Sequence, residues 1–146
     1  MTAKSNNNEE ENKMIRFAAP EDIDILVEND THVDKQEMLN LIGLNRVYIM
    51  EDNGRFIGWL RYNLFWDHIP FMNMIHLNDE NRGKGYGRTF VEFWENEMRR
   101  LGYKKVMTST ASDEFAQHFY IKLGYSTIGG FLPFDGKFEM MLAKKL

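Results

Sequence analysis

The period of the apolar positions changes several times along the chain, and each change marks an element. Residues 1–13 hold little to bury: Asn6-Asn7-Asn8 and Glu9-Glu10-Glu11 dominate. A disordered tail is therefore expected there, followed by a single domain over 14–146. Residues 14–18 read as a first strand. Pro20 suits the first turn of a helix, with Glu21 and Asp22 near its positive end, and Ile23, Leu26 and Val27 follow at helical spacing. A second helix is expected over 35–44, where Met38, Leu41 and Ile42 share a face. Residues 46–50 read as a strand, Asp52-Asn53-Gly54 as a hairpin turn, and 55–62 as the returning strand. A loop over 65–70, rich in aromatic residues, leads into the apolar run from Phe71 to Leu77, the central strand.

Helical periodicity returns over 87–101, with Phe90, Val91, Trp94, Met98 and Leu101 on one stripe. Glu95 and Arg99 are expected to pair on its wet side, and Gly102 to end it. Residues 104–109 form the next strand, parallel to the central one, because a strand–helix–strand unit crosses over right-handed. Ser112 or Asp113 is expected to cap a further helix with the stripe Ala116, Phe119, Tyr120 and Leu123, closed by Gly124. A strand from Tyr125 to Ile128, a loop marked by Gly129, Gly130, Pro133 and Asp135-Gly136, and a last strand from Phe138 to Ala143 complete a mixed α/β sheet.

Composition narrows the function. A chain of 146 residues can bury a real core. The absence of cysteine excludes disulfides and thiol catalysis and suits a reducing cytoplasm, the expected location. A net charge of −4 argues against general nucleic-acid binding. No apolar run approaches the roughly 18 residues of a membrane span, and the N-terminus has no apolar stretch of a signal peptide.

The chemistry concentrates between the central strand and the long helix, in Asn81-Arg82-Gly83-Lys84-Gly85-Tyr86-Gly87-Arg88. Glycines let a backbone turn sharply and approach a ligand, and the first amides of a helix carry partial positive charge. Strand, glycine loop and helix start together suit a phosphate, with Arg82, Lys84 and Arg88 alongside. The alternative is a tight connection with no ligand. A nucleoside-triphosphate loop needs Ser or Thr after its Lys, and Lys84 is followed by Gly85. A dinucleotide fingerprint needs G-x-G-x-x-G and an acid about twenty residues on, but position 107 is Met.

The remaining pattern, Arg82-x-x-Gly85-x-Gly87, resembles the acyl-coenzyme A loop of the GNAT superfamily of N-acetyltransferases. Asp113-x-x-Ala116-x-x-Phe119-Tyr120-x-Lys122-Leu123-Gly124-Tyr125 resembles its second signature, at the right order and separation. The resemblance runs from about Met14 to the C-terminus. It implies a mostly antiparallel central sheet of six to seven strands flanked by about four helices. It also implies transfer of an acetyl group from acetyl-coenzyme A to a primary amine, on a small molecule or peptide, by direct attack in a ternary complex without a metal. Leu77, Arg82, Gly83, Lys84, Gly85, Tyr86, Gly87, Arg88 and Asp113 fall at cofactor-binding positions, with the Leu77 region supplying a backbone amide to the thioester carbonyl.

Tyr120 matches the family's usual general acid, and a phenol stays protonated at neutral pH; packing on the apolar stripe is the alternative. The base is open. The family often places a Glu on the central strand where Asn73 stands here. His76 has a suitable ordinary pKa, and a water chain or no dedicated base are alternatives. Asp79 stands where Pro is common, and Asp113 where Asn is usual. Trp66, Phe131 and Phe134 are candidate walls of the acceptor pocket. A non-catalytic module that binds coenzyme A or a protein is the alternative function, and the assembly is expected to be a monomer or homodimer.

Overall fold

The computed structural model describes residues 15–146. The expected tail and Met14 lie outside the described residues. Seven strands hydrogen-bond in the order β1-β2-β3-β4-β5-β7-β6. They are β1 (Ile15–Phe17), β2 (Val47–Asp52), β3 (Arg55–Phe65), β4 (Ile69–Leu77), β5 (Lys105–Ala111), β6 (Ser126–Phe131) and β7 (Glu139–Lys145). Four α-helices accompany them: α1 (Ile23–Asn29), α2 (Lys35–Gly43), α3 (Tyr86–Arg100) and α4 (Ala116–Lys122). Short 3-10 turns cover Pro20–Asp22 and Asp79–Asn81. Among the described residues no helix is long and apolar enough to cross a membrane. The chain packs as two compact units: one ends at Tyr62 and resumes over Met74–Phe90, and the other takes Asn63–Asn73 and Val91–Leu146.

In the first unit, β1 and β3 flank β2 antiparallel. The expected Asn53-Gly54 turn joins β2 to β3 with both residues left-handed, at φ 51° and 78°. Leu26 of α1 and Met38, Leu41 and Ile42 of α2 cover Val47, Ile49 and Trp59. Asp34 caps α2 by accepting from the Glu37 amide at 2.8 Å. Arg16 is bidentate to Asp22 at 2.8 Å and reaches Glu51, which ties the start of α1 to β1 and β2. Asp30, at the end of α1, is fully buried. It accepts from Trp59 Nε1 at 2.9 Å and Arg61 Nε at 2.6 Å. Burial alone would raise its pKa, but these donors outweigh it and hold the carboxyl below the ordinary range.

In the second unit, β4 and β5 pair parallel, as expected, through Phe71↔Met107 and Met72↔Thr108. β7 lies antiparallel between β5 and β6. The expected loop over 65–70 is a hairpin instead. β3 runs on to Phe65, β4 starts at Ile69, and Trp66 and Asp67 make the turn at φ 53° and 65°, closed by the His68 amide on Phe65 O at 3.2 Å. Asp67 suits a turn, but Trp is unusual at a left-handed position, so the sequence announces a loop without showing how tight it is. Gly129 and Gly130 belong to β6, after an irregularity in its register, rather than to a loop. Trp94 and Met98 of α3 are buried as expected, whereas Leu101 lies past the helix end and is half exposed.

Candidate active site

The first unit holds the glycine loop. β4 is tied to β3 at its end, where the Asn78 amide donates to Ile57 O at 2.8 Å and Asn78 Nδ2 to Phe56 O at 3.2 Å. Gly58 lets the strands come this close: a Cβ there would stand 2.3 Å from the His76 carbonyl oxygen. After the 3-10 turn, Gly83 and Gly85 take φ 75° and 81°. A Cβ at either would meet no atom within 4 Å beyond its chain neighbours. These glycines answer the backbone conformation, and the space above them is open.

Helix α3 starts at Tyr86, one residue before the expected start, so Gly87 and Arg88 lie in its first turn. The Thr89 amide reaches Gly85 O at 3.1 Å and opens the helical ladder. The amides before it form the positive end of a 15-residue helix. Asn81 is buried, and its Nδ2 has no partner among the described residues. Arg82 donates through Nε to Leu77 O at 3.2 Å and lies 3.3 Å from Asp79, with much of its side chain exposed. Lys84 and Arg88 are exposed. Glu80 is paired with Arg55.

His76 is half buried and lies against Trp59, with ring centres 4.9 Å apart. Burial pushes its imidazole below the ordinary value and the Arg82 charge adds to this, so it is neutral at neutral pH. It therefore sits beside the Trp59–Asp30–Arg61 group.

The second unit holds Tyr120. Helix α4 starts at Ala116 after Phe115, so neither Ser112 nor Asp113 caps it. The Ser112 amide instead donates to Phe138 O at 2.9 Å. Asp113 is exposed and paired with Lys137, which holds its carboxyl below the usual range. The Tyr120 side chain is buried, edge-on to Phe119 at 5.3 Å and to Tyr125 at 5.6 Å. Burial pushes its phenol up to about 12, against a hydrogen bond with Thr108 that lowers it. The proton stays on Tyr120 at any physiological pH.

The Thr108 hydroxyl donates to Met72 O at 3.0 Å, at the last β4–β5 register pair. Behind Tyr120, the Tyr125 hydroxyl donates to Glu95 at 2.8 Å and Lys144 Nζ to the same carboxylate at 3.0 Å. Glu95 is thus buried rather than on the wet side, because two distant donors satisfy it. Arg99 bonds Asn96 instead, at 2.8 Å.

Past the Met72↔Thr108 pair, Asn73 and Ser109 open on a cleft of about 420 Å³. Asn63, Leu64, Phe65, Phe71, Phe131 and Met141 complete its lining. Of the three expected pocket walls, Phe131 lies here. Trp66 is exposed and tilted against Phe65, with ring centres 4.9 Å apart, and Phe134 is fully exposed; neither lines this cleft. Ser109 and Met141 escaped sequence reasoning, since only strand register brings them together. Among the described residues no three His, Asp or Glu side chains gather as a metal site.

A family model described as the acetyltransferase (GNAT) family matches residues 13–125. No curated protein sequence matches the chain. Solved structures share the fold. Ard1 from Thermoplasma volcanium is 15% identical, with 90% of this chain and 96% of that one covered at a TM-score of 0.78. The ribosomal-protein-S18-alanine N-acetyltransferase from Escherichia coli is 15% identical, over 90% and 92%, at 0.74. The PaiA N-acetyltransferase from Thermoplasma acidophilum, solved in complex with coenzyme A, is 17% identical, over 90% and 98%, at 0.74.

Proposed function

The chain belongs to the GNAT family of acetyltransferases, and on that premise we propose that it moves an acetyl group from acetyl-coenzyme A to a primary amine by direct attack in a ternary complex. The observation that carries this reading is the glycine loop: two left-handed glycines with open space above them at the N-terminus of α3. Such a start attracts an anion without a metal. Arg82, Gly83, Lys84, Gly85, Tyr86, Gly87 and Arg88 are the proposed hold on the pyrophosphate. The buried, unpartnered Asn81 Nδ2 fits a polar ligand arriving there. Asp113 is a weaker member of that set, since Lys137 occupies its carboxylate.

Acetyl-coenzyme A supplies the acyl group as a thioester. The chain's own residues orient it and manage protons. Leu77, at the end of β4, is the proposed source of the amide facing the carbonyl oxygen, where negative charge grows during attack. Tyr120 is the proposed general acid: it holds its proton at neutral pH and can give it to the departing sulfur. His76 is the proposed base: it is neutral and able to accept a proton, and its ring also packs tilted against Trp59. Asn73 lines the cleft and has no basic form.

The test is release of coenzyme A thiol from acetyl-coenzyme A with a broad panel of primary amines and peptides. Turnover with any of them supports the reading. Binding of acetyl-coenzyme A without turnover across the panel would favour a non-catalytic module.

A further inference from the structure

Next to the residues that line the cleft of the second unit, an unneutralised carboxylate, Glu139, stands on the same side of the sheet. Glu139 and Met141 are two apart on β7 and so point the same way. Met141 lines the cleft, opposite Ser109, which lines it too. Glu139 also stands directly opposite Phe131 of β6, and residues paired across an antiparallel ladder share a face. Two independent ladders therefore put Glu139 on the cleft side, one step beyond Met141.

It is half buried, and among the described residues no hydrogen bond or ion pair compensates it. Burial, with the charge of Glu114, disfavours its ionised form. The nearby Lys137 is bound to Asp113, and Glu114 accepts from Thr110 at 2.9 Å. A carboxylate left like this is stabilised by an arriving cation. Phe131, its partner across the ladder, and Phe65 and Phe71 elsewhere in the cleft offer aromatic surface, and ring faces also attract cations.

We propose that this cleft takes an acceptor amine with an aliphatic or aromatic body, and that Glu139 holds its positive charge on arrival; the ammonium then gives its proton to the Glu139 carboxylate or to water before the nitrogen attacks the thioester. The site thereby selects against acceptors that carry a carboxylate beside the amine. The word acceptor rests on the acetyl-transfer reading above, but the binding itself is measurable without it.

The probes are phenethylamine, phenethyl alcohol, phenylalanine and, for the charge-reversed variant, phenylpropionate, titrated into the full chain without coenzyme A by calorimetry. Phenethylamine is expected to bind about fivefold or more tighter than the other two, and Glu139→Gln to remove that advantage. Glu139→Lys should reverse the preference toward phenylpropionate, a gain that a merely unfolded variant cannot show. Melting curves accompany each variant. Equal binding of amine and alcohol, no binding of phenethylamine, or an unchanged amine affinity in Glu139→Gln would overturn the proposal. Should amine selectivity follow Glu139 while no amine is acetylated, the cation site stands and the acetyl-transfer reading falls. Should amines be acetylated with equal efficiency by wild type and Glu139→Gln, the reading stands and the site falls.

Discussion

The glycine loop after β4 and the surroundings of Tyr120 are built by opposite means. The loop is a backbone device. Its shape comes from two left-handed glycines and a helix start within six consecutive residues, and no neighbour crowds them. Tyr120 is placed by side chains from several elements: Thr108 of β5, Tyr125 after α4, and behind them Glu95 of α3 and Lys144 of β7. A backbone device can change its ligand contacts with little effect on the core. A side-chain lattice cannot lose a member without disturbing the rest.

That contrast yields predictions. The largest concerns Tyr120→Phe, which keeps the ring and loses the hydroxyl. We expect kcat to fall about 10²–10⁴-fold with little change in cofactor affinity. The check pairs steady-state kinetics with a thermal melt, and full activity would remove Tyr120 from the mechanism.

Next is Glu95→Leu, which leaves the Tyr125 hydroxyl and Lys144 ammonium without their acceptor. A loss of about 3 kcal/mol in urea denaturation is expected. A stability within 0.5 kcal/mol of wild type, roughly the range of ordinary surface substitutions, would show that the lattice is not one.

Gly83→Ala should cost only about 1–2 kcal/mol, the left-handed penalty of a residue with a Cβ. No packing loss is added, because nothing stands within 4 Å. A larger loss would mean that the loop is part of the core after all.

The smallest effect is with pH. Asp22 and Asp30 are held below their ordinary pKa of 3.8 in the fold, Asp22 chiefly by Arg16. Their contribution is present above that value and disappears as pH falls through the depressed folded values. Asp30→Asn should flatten the fall in stability below pH 4, seen in melts from about pH 5 to pH 2.

The same contrast decides what was legible in the chain. The loop, the Asn53-Gly54 hairpin and the buried stripe of α3 are written in neighbouring residues, so spacing revealed them. The loop before the central strand was read too long: Phe65, Ile69 and Pro70 belong to strands, and the connection is a tight turn at Trp66 and Asp67 with the same left-handed form. Glu95 was misplaced because its partners stand 30 and 49 positions away. Asp113 has a capping residue's chemistry, but α4 starts three residues later and Lys137 claims the carboxylate. Strand alternation puts Glu139 on the face of Met141, but only the β5–β7 and β6–β7 registers turn that face toward Ser109 and Phe131.

The most direct test of the account is a calorimetric titration of acetyl-coenzyme A into the full chain and into Gly85→Val. Saturable binding to wild type is expected, with a loss of about 100-fold in the variant, which puts a β-branched side chain where φ is 81° and the ligand must approach. No binding to wild type at millimolar cofactor, or equal affinity in the two proteins, would contradict it.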